Sequence, residues 1–151
     1  MYKKILVAVD GTATSVRGLD EAIRVAKATG GTLMLVHVVD DLLIGADYVP
    51  AVYYEPLVVS LRDSGAKVLA QAMAIVRHAE VPCEQKLLET LGGRAADAIV
   101  NAAKEWSAEL IVVGTHGRRG FKRLAMGSDA EMVLRLSPVP VLVVRDKAEA
   151  P

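Results

Sequence analysis

Four short runs of nearly uninterrupted aliphatic residues, separated by segments whose apolar residues recur at helical spacing, restrict this chain more than any other feature. The runs are Lys3–Val9, Thr32–Val39, Leu110–Val113 and Val139–Val144. A strand with one wet face alternates apolar and polar residues, whereas a strand covered on both faces reads as a continuous apolar run. Between the runs, 13–29 carries Val16, Leu19, Ile23 and Ala26 on one helical face and ends at Gly30-Gly31, a left-handed stop. Segment 57–79 repeats the spacing through Leu61, Val68, Ala72, Ile75 and Val76 and stops before Pro82. Segment 94–106 does so through Ala95, Ile99, Ala102, Ala103 and Trp106, and 129–136 forms a short fourth helix. Cys83–Glu89 has mixed polarity and reads as a strand at a sheet edge. Segment 42–55 holds Tyr48, Tyr53, Tyr54 and Pro50, is followed by Pro56 and has no sustained period, so a long surface excursion is expected there.

Five strands alternating with four helices predict an α/β fold, an open sheet of five parallel strands with helices on both faces, joined by right-handed crossovers. In such sheets ligands sit beyond the carboxyl ends of the strands, where strand order reverses. Asp10, Asp40 and Gly114 all follow such ends, which puts an acidic turn and a glycine loop on one rim.

At 151 residues the chain is expected to form a single domain, 1–151, with a core large enough to need no disulfide or metal staple. Eighteen basic residues balance eighteen acidic ones, so the overall charge gives no reason to expect nucleic acid or an anionic membrane as partner. Hydrophobic residues make up 52%, yet no apolar run approaches the roughly 18 residues of a membrane span, and the N-terminus does not read as a secretory signal. A cytoplasmic location is expected. Cys83, the only cysteine, has apolar neighbours and reads as a buried thiol rather than a reactive one.

Chemistry concentrates in 113–131. An apolar strand opens on Gly114 and Gly117, the cations Arg118, Arg119, Lys122 and Arg123 follow, and Gly127-Ser128 stands where a helix begins. Backbone N–H groups in such a loop and in a first helical turn converge on anions, so a phosphate-bearing ligand is expected. Ser128-Asp129-Ala130-Glu131 also fits a capping box, which is compatible with phosphate binding because Gly127 lets a ligand approach the same N–H groups. Asp10 reads either as an Asx-type turn closing the first strand or as a carboxylate that accepts from a ribose hydroxyl or an adenine amine.

Several chemistries are excluded. The Asp10-Gly11-Thr12 turn is similar to that of haloacid-dehalogenase-type phosphatases, but the position of their nucleophilic aspartate is Ala8. There is no P-loop run and no Gly-x-Gly-x-x-Gly after the first strand. His37, His78 and His116 lack metal-ligand spacing, so no metal site is expected from them. His37 reads as a hydrogen-bonded core residue, and His116 as a loop residue facing ligand or solvent. No catalytic residue is assigned.

Gly114-x-x-Gly117, nine residues, then Gly127-Ser128, a helix and Pro-Val-Leu-Val-Val together resemble the nucleotide signature of the universal stress protein family, in its ATP-binding subtype. Ile5 to Gly11 at the start, Val36-His37-Val38 on the second strand and 110–117 before the loop agree with it. The resemblance implies a Rossmann-like domain that binds ATP or a related adenine nucleotide and acts as a homodimeric stress-response regulator, at most a slow ATPase. It implies that Asp10 lies beside the adenosine, that the Val38 backbone contacts adenine, and that Val113 and Gly114 line the ribose. Gly117, Gly127 and Ser128 would bind the phosphates. Gly11, Thr12, His116, Arg118, Asp129 and Ala130 complete the expected nucleotide site. The dimer would form through the last strand, Val139–Val144. The alternative is a nucleotide-independent dimeric member that acts through protein contacts. Asp129 stands where the family often has valine or threonine. Its charge favours the helix dipole but repels phosphate, implying weaker ATP binding, a ligand with fewer phosphates, or an intervening divalent cation such as Mg²⁺.

Overall fold

The computed structural model describes residues 1–40, 50–90, 92–116 and 126–146. Among them the chain runs β1 (Lys4–Ala8), α1 (Ala13–Thr29), β2 (Thr32–Val39), α2 (Ala51–His78), β3 (Cys83–Glu89), α3 (Ala95–Trp106), β4 (Leu110–Gly114), α4 (Ser128–Leu136) and β5 (Val141–Val144). All strand pairs are parallel, and the sheet order is β3-β2-β1-β4-β5. The chain steps outward from β1 through β2 to β3, then returns across the sheet to β4, so strand order reverses between β1 and β4.

The strand alternation divides the core. Ile5, Val7, Leu33, Leu35 and Val112 face Leu19, Ala22 and Ile23 of α1 and Leu69, Ala72 and Val76 of α2. Leu6, Met34, Val36, Ile111 and Val113 face Ala96, Ile99, Val100 and Ala103 of α3 and Ala130 and Val133 of α4. Along the three inner strands, β2, β1 and β4, both sheet faces are thus dry, as their continuous apolar runs require, whereas the last run, Val141–Val144, is only partly buried. α1 ends as its glycines predict: Gly30 takes a left-handed φ of 66°, and its N–H donates to the Ala26 carbonyl. The polar strand β3 and the short β5 occupy the two edges.

Two expectations are corrected. Residues 51–55, assigned to a surface excursion, are the first turns of α2; Tyr53 and Tyr54 are helical and exposed, and residues 41–49, with Tyr48, lie outside the described residues. Prolines were the misleading signal. Pro50 precedes the helix and its carbonyl accepts from the Tyr53 N–H at 2.8 Å, while Pro56 sits inside the helix on an exposed stretch, where the hydrogen bond it cannot make leaves a carbonyl accessible to water. The capping box at α4 is also absent. Gly127 is the N-cap, its carbonyl accepts from the Glu131 N–H at 3.0 Å, and no side chain caps the helix. The Glu131 carboxylate instead pairs with Arg135 one turn on, at 2.9 Å.

Candidate functional site: a cleft at the strand-order reversal

Because β1 and β4 send their following helices to opposite faces of the sheet, a cleft opens beyond their carboxyl ends. Its volume is about 160 Å³, roughly ten times what a single water requires. Its floor is the sheet end, Ala8, Val36, Val38 and Val113, and its walls come from α2 (Leu61), α3 (Ala95, Ile99) and the first turns of α4 (Ser128, Asp129, Ala130, Val133).

The acidic turn after β1 is internally braced. Asp10 Oδ1 accepts from the Thr12 N–H at 2.9 Å and from Thr12 Oγ1 at 2.6 Å. Thr12 Oγ1 in turn accepts from the Ser15 N–H at 3.2 Å and caps α1, while the Asp10 N–H donates to Ser15 Oγ at 3.0 Å. The Asx-type turn is therefore present, and Asp10 still lines the cleft. Gly11 and Thr12 do not line it; they hold the turn that presents Asp10.

Across the floor, Gly114 ends β4 against the first turn of α1. A Cβ there would stand 2.8 Å from Thr14 Cγ2, so a larger residue would force α1 away from the switch point. The neck of the following segment is closed by backbone: the Thr115 N–H donates to the Val144 carbonyl at 2.9 Å, and the Gly127 N–H donates to the Thr115 carbonyl at 2.6 Å. That contact docks the N-terminus of α4 beside the end of β4. The hydrogen bonds of α4 begin at the Glu131 N–H, which donates to the Gly127 carbonyl, so the first turn of the helix, Ser128 to Ala130, brings the positive end of the helix dipole to the cleft that it lines.

Of the nucleotide-site residues expected from sequence, Asp10, Val38, Val113, Gly114, His116, Gly127, Ser128, Asp129 and Ala130 meet at this cleft. Gly117 and Arg118, with the other cations of the loop, lie outside the described residues. Sequence reading missed the walls: Ser15, Leu61, Ala95 and Ile99 belong to helices whose apolar faces were assigned wholly to the core. His37 also borders the cleft, 5% exposed, with Nδ1 2.8 Å from the Val9 carbonyl. Beside Leu61, Arg62 makes a two-pronged ion pair with Glu89 at the end of β3, its second contact at 3.2 Å. That hydrogen bond and the carboxylate charge raise the Arg62 pKa above its ordinary value. No group of three or more metal-ligating side chains occurs among the described residues.

The chain matches the Universal stress protein family over residues 1–145. It belongs to that family. A universal stress protein of Thermus aquaticus is 37% identical over 96% of this chain and 100% of its own length. A universal stress family protein from Burkholderia pseudomallei, 34% identical, superposes with a TM-score of 0.77 over 94% of this chain and 95% of its own. The universal stress protein of Archaeoglobus fulgidus, solved in complex with dAMP, is 25% identical with a TM-score of 0.70, covering 95% of this chain and 98% of its own. As a family member the chain keeps the five-stranded parallel sheet, and among the described residues no helix is long and apolar enough to cross a membrane.

Proposed function

We propose that this universal stress protein binds an adenine nucleotide, with ATP among its ligands, in the cleft between the ends of β1, β2 and β4, and acts as a cytoplasmic homodimeric regulator. The observation that carries this reading is the convergence of Asp10, the Val38 strand end and the first turn of α4 on one cleft. The dAMP complex of the Archaeoglobus fulgidus relative supports the ligand class. In this reading the apolar floor around Val36, Val38 and Ile99 takes the base, Asp10 accepts from the ribose, and the first turn of α4 meets the phosphate. His116 and Arg118 complete the phosphate side, and Mg²⁺ enters with the polyphosphate rather than as a resident ion. The proposal is binding and regulation, and no catalytic residue is assigned. Acid release of co-purified ligand, followed by calorimetric titration of AMP and ATP with and without Mg²⁺, tests it. Nucleotide release or saturable heat is expected. Neither release nor heat at millimolar nucleotide would overturn the reading in favour of action through protein contacts alone.

A further inference from the structure

The helical stripe of α2 that buries Gly65, Leu69, Ala72 and Val76 against the sheet runs on to Leu61, one turn before Gly65. Leu61 is half-buried and lines the cleft instead of the core. Two contacts fix this part of the helix. Gly65 packs against His37 of β2 and Leu87 of β3. Next to Leu61, Arg62 grips the carboxylate of Glu89, the last residue of β3, from Nε to Oε1 and from Nη2 to Oε2. Neither Arg62 nor Glu89 lines the cleft. The other large aliphatic wall, Ile99, comes from α3 on the opposite face of the sheet.

Resting on the nucleotide reading above, we propose that Leu61 covers the nucleobase from the α2 side, and that the Arg62–Glu89 ion pair is the positioning device that holds Leu61 there. A base lying on the apolar floor leaves part of its surface toward α2, and a leucine side chain over it removes that surface from water. The contact is worth most when the side chain is already in place, because ordering it on binding costs affinity. An ion pair in water contributes little to overall stability. Its consequence here is local, since it ties α2 to β3 beside the residue that reaches the cleft. The contact is to the base, so it serves adenosine, AMP and ATP alike.

The test titrates adenosine, AMP and ATP calorimetrically into ligand-stripped wild type, Leu61→Ala, Leu61→Met, Arg62→Ala and the double variant Leu61→Ala/Arg62→Ala, with Lys67→Ala, an exposed cation further along α2, as control. Leu61→Ala puts a strong helix former at a half-exposed position, so the fold is expected to persist. It should weaken all three ligands by a common factor of about five- to twentyfold, while Leu61→Met, of similar volume, stays within about twofold of wild type. Arg62→Ala should weaken all three by about threefold, and the double variant should bind as Leu61→Ala alone does. Unchanged adenosine affinity in Leu61→Ala, with wild type still binding, overturns the proposal alone. An Arg62→Ala loss confined to AMP and ATP also overturns it, because the guanidinium would then serve the phosphates directly. So does a full Arg62→Ala loss on the Leu61→Ala background, or an equal loss in Lys67→Ala. Absence of binding by all three ligands to wild type overturns the nucleotide reading and this inference with it.

Discussion

Gly65 of α2 presses its backbone onto the buried ring of His37 on β2. A Cβ added at Gly65 would stand 2.7 Å from His37 Cδ2 and 2.8 Å from Leu87 Cδ1. The ring has little room to yield, because it is buried and its Nδ1 is held 2.8 Å from the Val9 carbonyl. In an open helix, replacing glycine by alanine stabilises by roughly 0.5–1 kcal/mol; here the overlap opposes that gain. Gly65→Ala is expected to destabilise by about 1–2 kcal/mol net, lowering the melting temperature by roughly 2–8 °C for a chain of this size. A melting temperature at or above wild type would show that α2 shifts at no cost.

Much of the fold was legible because its physics is local. Val7, Leu35 and Val112 lie in runs that only a doubly covered strand explains, and Gly30 marks its helix end by the one conformation it adopts more easily than other residues. The ends of α2 and α4 were not legible, for opposite reasons. Pro56 reads as a breaker, but near the start of a helix it removes only one exposed hydrogen bond. Ser128 and Glu131 have capping-box spacing, but docking of Gly127 on Thr115 fixes the cap one residue earlier. Of the cleft, the strand ends at Asp10, Asp40 and Gly114 could be placed on one rim from topology. Leu61, Ala95 and Ile99 could not, since a helix face that lines a cavity has the same periodicity as one that lines a core. His37 carried a usable signal, a polar residue inside an apolar run, whereas Gly65 opposite it gave none.

Thr12 joins the turn after β1 to the start of α1 through one oxygen, which donates to Asp10 and accepts from the Ser15 N–H. Thr12→Ala removes both bonds and is expected to destabilise by about 1 kcal/mol, the usual cost of losing an N-cap. Thr12→Ser keeps the hydroxyl and should restore most of the loss. Chemical denaturation of the three proteins measures this, and an alanine variant as stable as wild type would place the stabilisation elsewhere in the turn.

Cys83 is half-buried, not fully buried as its apolar neighbours suggested, and this partial burial pushes its thiol up to about 11, so at pH 8 roughly one molecule in a thousand carries the reactive thiolate. Alkylation of the native protein at pH 8 should be slower than that of the urea-unfolded chain by about two orders of magnitude. The linkage has a definite sign. The folded state keeps the proton to higher pH than the unfolded chain, so this contribution is fully present below about pH 8.5 and is lost as pH rises toward 11. Native alkylation as fast as in urea would contradict the burial.

The last strand offers the sharpest test of assembly. The Pro140 and Val144 carbonyls accept from the Ile111 and Thr115 N–H groups, at 3.0 and 2.9 Å, so these residues direct their backbone toward β4. By the period of a strand, Val141 and Val143 direct theirs away from the sheet, at its edge. A second copy pairing along this edge would use the Val143 N–H, which a proline lacks. Val143→Pro leaves the β4 ladder intact, because that N–H takes no part in it. Light scattering should then show a dimer for wild type and a shift to monomer, by at least about tenfold in dissociation constant, for a variant whose circular dichroism is unchanged. A variant that remains dimeric would move the interface away from β5, and the exposed Val52, Tyr53 and Leu57 on the first half of α2 would become the next surface to test.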